Sequence, residues 1–266
     1  MLGKLMKYEI KATGRIFFPL FLALLIFATI TRLLSSIGPE AWDTPAVISM
    51  VIYGIIMVGM FVMTLLMMIQ RFYKNLLSDE GYLMLTLPVK PWQHIVSKLL
   101  VSMLWIVASI FTAFISSLVI ALKKGDLTKG ITEFTALYHR AVQELGSSVY
   151  IWSFEIIIML LISLASGILV IYASIALGHL FNRHKMLATF GAFIVLSTLT
   201  QIFFTFLGMV PGATYLSNLH ISANDILGMQ RIAHLAMVGG IIFNALLCSA
   251  YLAITNFILS KRLNLE

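Results

Sequence analysis

The sequence predicts an all-α integral membrane protein with six transmembrane helices, and three observations carry that prediction. First, 60% of its 266 residues are hydrophobic, only 11% are charged and the mean hydropathy is +0.99, whereas a soluble domain carries roughly 25% charged residues. Second, the apolar residues come in blocks of twenty or more, the length that crosses a hydrocarbon layer about 30 Å thick at about 1.5 Å per residue. Third, the blocks are apolar on every side, where a transmembrane barrel shows short alternating segments.

The blocks place spans at about 16–36, 46–70, 95–122, 149–178, 187–208 and 233–259 of one membrane domain that covers residues 1–266. Before the first span, Lys4, Lys7, Lys11 and Arg15 recur at helical spacing opposite Leu2, Leu5, Met6 and Ile10. Residues 1–15 therefore read either as an amphipathic helix on an anionic inner surface or as a plain basic anchor. A secretory signal is not expected, because the apolar run outlasts the usual core and no small-residue cleavage site follows in TRLLSSIGPEAW. With the N-terminus inside, twelve of the 18 Lys and Arg residues fall on the inner side and six, beginning with Arg32, on the outer. That asymmetry and the even number of spans put both termini in the cytoplasm. Much of the net charge of +7 then lies at the membrane surface, so no nucleic-acid partner is expected.

Span two is rich in methionine, and Met57, Met60, Thr64, Met67 and Met68 fall largely on one face. Polarizable thioethers can line a surface that accepts several apolar shapes, or they can pack against a helix or lipid. Residues 71–94 come next and include a short amphipathic run, Phe72, Leu76 and Leu77 against Arg71, Lys74, Asp79 and Glu80, which Gly81 can end. Acidic residues there suit a basic-rimmed protein groove better than an anionic leaflet. Pro88 and Pro91 break the chain before span three.

Two outer loops, 123–148 and 209–232, carry helical signals. Ile131, Phe134, Leu137 or Tyr138, and Leu145 recur at helical spacing before Gly146, and Ser222 with Asp225 can cap a helix that runs toward span six. In span four, Ser163, Gly167, Ser174 and Gly178 form two small-xxx-small steps that allow close helix approach. Glu155, an acid near the start of that span, reads as interfacial or paired to another helix, with a proton relay as the lesser alternative. Span five places Ser197, Gln201 and Thr205 at i, i+4 and i+8, a stripe that either bonds a neighbouring helix or faces a wet cavity.

Chemical motifs are mostly absent. There is no GxxxxGK[ST] phosphate loop, no HExxH and no GxSxG, so the chain is expected to be no enzyme and to hold no cofactor of its own. Cys248, the single cysteine, reads as a packing residue in span six. His179 and His184 lack a third ligand, so metal is not expected. An intramembrane hydrolase would need a catalytic pair at depth, and Glu155 has no evident His or Cys partner in the sequence.

The pattern RFYKNLLSDEGYLMLTLPVKPWQHIVSKLL, with six spans and a basic amphipathic N-terminus, resembles the permease subunits of bacterial type-2 ATP-binding-cassette exporters of the peptide-toxin export and bacteriocin-immunity kind. The resemblance is architectural over the whole chain and specific in sequence only across residues 71–100. It implies that the run between spans two and three is a cytoplasmic coupling helix seated in a separate nucleotide-binding ATPase, with Leu76, Leu77, Asp79, Glu80, Gly81 and Tyr82 as the contact. ATP and Mg would then reside on that partner. It further implies a second permease copy, identical or paralogous, and a path lined by spans two and five: Met57, Met60, Thr64 and Met67 with Ser197, Gln201 and Thr205. The expected function is outward movement of an amphipathic or apolar substrate, a peptide first, a lipid-linked or drug-like molecule otherwise, across the bacterial plasma membrane.

Overall fold

A computed structural model describes residues 2–37, 43–77, 89–121, 126–146, 148–181, 183–218 and 226–261. The described chain is helical: α1 (Leu2–Ile37), α2 (Asp43–Leu76), α3 (Pro91–Ala121), α4 (Asp126–Leu145), α5 (Ser148–Gly178), α6 (Lys185–Asn218) and α7 (Ile226–Lys261). Six of these, all but α4, are long and apolar enough to cross a membrane. Each covers one of the six expected spans. All six begin before the expected start, and all but α3 and α5 also run past the expected end; α1 runs unbroken from Leu2 through Pro19, so no break sets residues 1–15 apart as a separate helix. At about 1.5 Å per residue its 36 residues extend about 54 Å, well beyond a ~30 Å hydrocarbon layer.

The chain forms two compact units, one from residues 1–72 and 96–146 and the other from 73–95 and 147–266. In the first, α1, α2 and α3 meet along an aromatic and methionine seam. Phe17 stacks on Trp105 with ring centroids 4.4 Å apart, and Met67 and Val101 complete that cluster. Leu24, Ala28, Tyr53 and Met60 form a second one. Polar groups inside this unit are satisfied across helices: Trp105 Nε1 donates to Thr13 Oγ1 at 2.8 Å, Thr64 Oγ1 meets Ser109 Oγ at 3.0 Å, and Tyr53 Oη meets Ser116 Oγ at 2.9 Å. Without water to compete, each such group must find a protein partner.

Charges in the first unit sort to the two ends of α1. Glu9 pairs with Lys98 and lies 3.6 Å from Arg71, while Arg32 donates to the carbonyl of Val119 at 3.0 Å. Residues 9 and 32 are about 35 Å apart along a helix, with the uncharged stretch 16–31 between them. The unit thus groups Arg71 and Lys98 at one end and Arg32 at the other.

In the second unit α5 packs on both α6 and α7. A close approach occurs at Gly178, where a Cβ would stand 2.7 Å from the Thr189 backbone. Only glycine permits that contact. Gly167 has nothing within 4 Å of its would-be Cβ, so of the two small-residue steps only the one ending at Gly178 serves close packing here. His184, just before α6, holds φ at +60°, a conformation that His adopts more readily than most residues. Cys248 Sγ approaches the carbonyl of Ile162 at 3.6 Å, a packing contact between α5 and α7.

Candidate functional site

The polar stripe of span five opens onto a cleft in the second unit. Gln201 and Thr205 on α6 line it with Thr200, Phe204, Phe243, Asn244 and Leu247, around a volume of about 340 Å³. Helical spacing puts Gln201 and Thr205 one turn apart on the same face, and both are exposed. Ser197, the third residue of the stripe, does not line the cleft. Across it, Asn244 donates to the Gly240 carbonyl at 3.1 Å and its Oδ1 lies 3.4 Å from Ser166 Oγ, while Thr200 is bonded to Tyr251. The Gln201 amide and the Phe204 and Phe243 rings therefore give the cleft both hydrogen-bonding and apolar surface. A concavity of this kind suits a ligand with polar and apolar parts.

The methionine face of α2 is placed otherwise. Met60 is 0% exposed, Thr64 5% and Met67 7%, and Met57 packs partly buried against the Leu24–Tyr53 cluster. These four residues pack within the first unit. The physical reason is the pairing of that face with α1 and α3: Thr64 finds Ser109, and the thioethers fill the gaps around Phe17, Trp105 and Leu24. The side of α2 left exposed carries Val51, Ile55, Val58, Val62 and Leu65, an aliphatic surface of the kind that faces lipid.

The expected ATPase contact lies only partly within the described residues. Leu76 is 0% and Leu77 6% exposed, so both are buried in this chain. Tyr73, one turn before Leu77, is 44% exposed. Asp79, Glu80, Gly81 and Tyr82 lie outside the described residues, as do Ser222 and Asp225.

The structure also brings together a pair that the sequence did not reveal. Glu155 Oε1 lies 2.8 Å from His234 Nδ1, linking α5 to α7, and the Trp152 ring meets the His234 ring edge to face at 5.6 Å. Glu155 Oε2 and Trp152 Nε1 are buried and, among the described residues, have no hydrogen-bond partner. Helix start points explain the oversight. With span six begun at residue 233, His234 stands at the membrane boundary; α7 begins at Ile226, which carries His234 about 12 Å along its helix and level with Glu155, about 10 Å along α5.

At the other end of α5, His179 turns an edge toward Tyr73, 5.1 Å between centroids, and its Nδ1 lies 3.2 Å from the Ile175 carbonyl. Burial lowers its imidazole from the ordinary value and Lys185 acts in the same direction, against the opposing effect of the Ile175 carbonyl. Among the described residues no group of three His, Cys, Asp or Glu side chains could hold a metal ion.

Comparison with protein-family models, with curated proteins and with solved structures finds no match for this chain.

Proposed function

We propose that the chain is the transmembrane subunit of an ATP-driven exporter, which moves an amphipathic substrate outward by alternating access coupled to a separate nucleotide-binding ATPase. The observation that carries this reading is the α6–α7 cleft, where Gln201, Thr205 and Asn244 stand among phenylalanines. An open cleft with both polar and apolar lining suits a cargo that has both kinds of surface. The resemblance of residues 71–100 to exporter permeases supplies the coupling to ATP, and it favours peptide cargo over lipid-linked or drug-like molecules. In this reading both termini and the 71–94 region face the cytoplasm of a bacterial cell, a second permease copy completes the path, and ATP with Mg binds the partner ATPase.

An intramembrane hydrolase is the second reading, and the Glu155–His234 pair is what favours it. A carboxylate on Nδ1 leaves Nε2 as a base, the arrangement found in nucleophilic triads. It ranks second because, among the described residues, no hydrogen bond joins His234 to a serine or cysteine.

The test is Thr205→Trp, which fills the cleft from an exposed position. With permease and ATPase reconstituted together, transport of amphipathic peptide should fall by about tenfold or more while the complex still assembles. Unchanged transport with normal expression would remove the cleft from the path.

A further inference from the structure

Helix α4 has no role in the exporter reading, yet it has the clearest two-faced pattern in the chain. At 100° per residue, Ile131, Phe134, Tyr138 and Val142 fall within about 80° of one another, and Lys129, Glu133 and Arg140 lie opposite. The apolar side is uncovered: Ile131 is 60%, Phe134 71% and Tyr138 42% exposed. A helix of 20 residues that shows such a stripe to water would be a liability for a solitary chain.

Its tethers say what covers it. Four residues, 122–125, join α4 to the end of α3, and two, 146 and 147, join it to the start of α5. A chain reaches at most about 3.6 Å per residue, so both ends of α4 are held within one or two helix diameters of membrane spans. Gly146, at φ +62°, makes the turn into α5, where a side chain would be strained. On α5, in the second unit, Tyr150, Ile151 and Phe154 are likewise exposed, at 62%, 54% and 65%. Charge gives no other answer: Asp126, Glu133 and Glu144 offset Lys129 and Arg140, so α4 offers no cationic face for an acidic partner.

We propose that α4 is an interfacial helix, seated lengthwise in the lipid headgroup layer on the side of the membrane where α3 ends and α5 begins, with Ile131, Phe134 and Tyr138 in the acyl boundary. Apolar burial rather than anionic-lipid attraction holds it there, because its own charge is slightly negative. This inference rests on the membrane spans and not on the exporter reading.

The experiment uses the full chain with Cys248→Ser, reconstituted in phosphatidylcholine vesicles and spin-labelled at single cysteines replacing Ile131, Phe134 or Tyr138, and Glu133 or Arg140. Labels at the first three should relax with oxygen and resist a water-soluble nickel chelate, and labels at the other two should do the reverse. Adding anionic lipid or salt should leave the pattern unchanged. Equal access of nickel at all five positions would overturn the proposal by placing α4 in water. Shielding of the apolar three from both reagents would overturn it by placing α4 against protein. Phe134→Trp in the chain with native Cys248 gives an independent reading: added fluorescence quenched by brominated phosphatidylcholine supports the seat in lipid, and unquenched added fluorescence contradicts it.

Discussion

Glu155 accepts a hydrogen bond at one carboxylate oxygen while the other, buried, has none among the described residues. A carboxylate so placed depends on its single partner, because an unmatched buried group costs about 1–3 kcal/mol and more when charged. His234→Leu is therefore expected to destabilise the chain by about that amount in detergent unfolding, and Glu155→Leu with His234→Leu together by less than the sum of the singles. The coupling should be roughly 0.6–1.7 kcal/mol, the range for interhelical hydrogen bonds in membranes; additive singles would mean that the pair does not hold α5 to α7. At this scale the sequence was legible in part. Glu155 stood out as an acid beside a span, but its partner is 79 positions away. Periodicity finds neighbours on one helix, not across two. An amphipathic pattern shows that one face is covered and does not say by what, and Leu76 and Leu77 are buried within this chain.

At the scale of the element, two glycines of α5 look alike in sequence and differ in surroundings. Gly178→Ala would set a methyl group against the Thr189 backbone, 2.7 Å away, and overpacking of this kind costs about 1–3 kcal/mol. Gly167→Ala meets nothing within 4 Å and should be neutral or stabilising by up to about 1 kcal/mol, because alanine favours the helix. Unfolding of the two variants side by side in one detergent decides the matter, and equal effects would contradict the packing described. Helix existence was legible because blocks of twenty apolar residues have one solution in a membrane. Helix ends were not. Pro19 lies within α1 without ending it, and α6 runs to Asn218, ten residues past the expected close of span five. The methionine face of α2 was correctly read as one face, and its use as core became visible only when α1 and α3 were seen to cover it.

For the whole molecule, composition alone dictated a multi-pass helical membrane protein, and the six spanning helices follow from it. Activity is less deeply written. In the reading proposed above, the ATP chemistry lies on another chain, so this sequence would carry no nucleotide motif, and the feature that prompts the proposal is a short acidic stretch between two spans, NLLSDEGY. The α6–α7 cleft is where that proposal would seat cargo. The most direct measurement is therefore of the partner the proposal requires: the chain is expressed in its native host, purified in detergent, and assayed for an accompanying Walker-motif ATPase and for ATP hydrolysis. The account predicts a complex whose hydrolysis is coupled to transport and which is lost when Asp79 and Glu80 are both replaced by Lys, with the six-span fold intact, because like charges then oppose across the contact. A permease that purifies folded but without any nucleotide-binding subunit, or a complex indifferent to the double reversal at low and high salt, would contradict it.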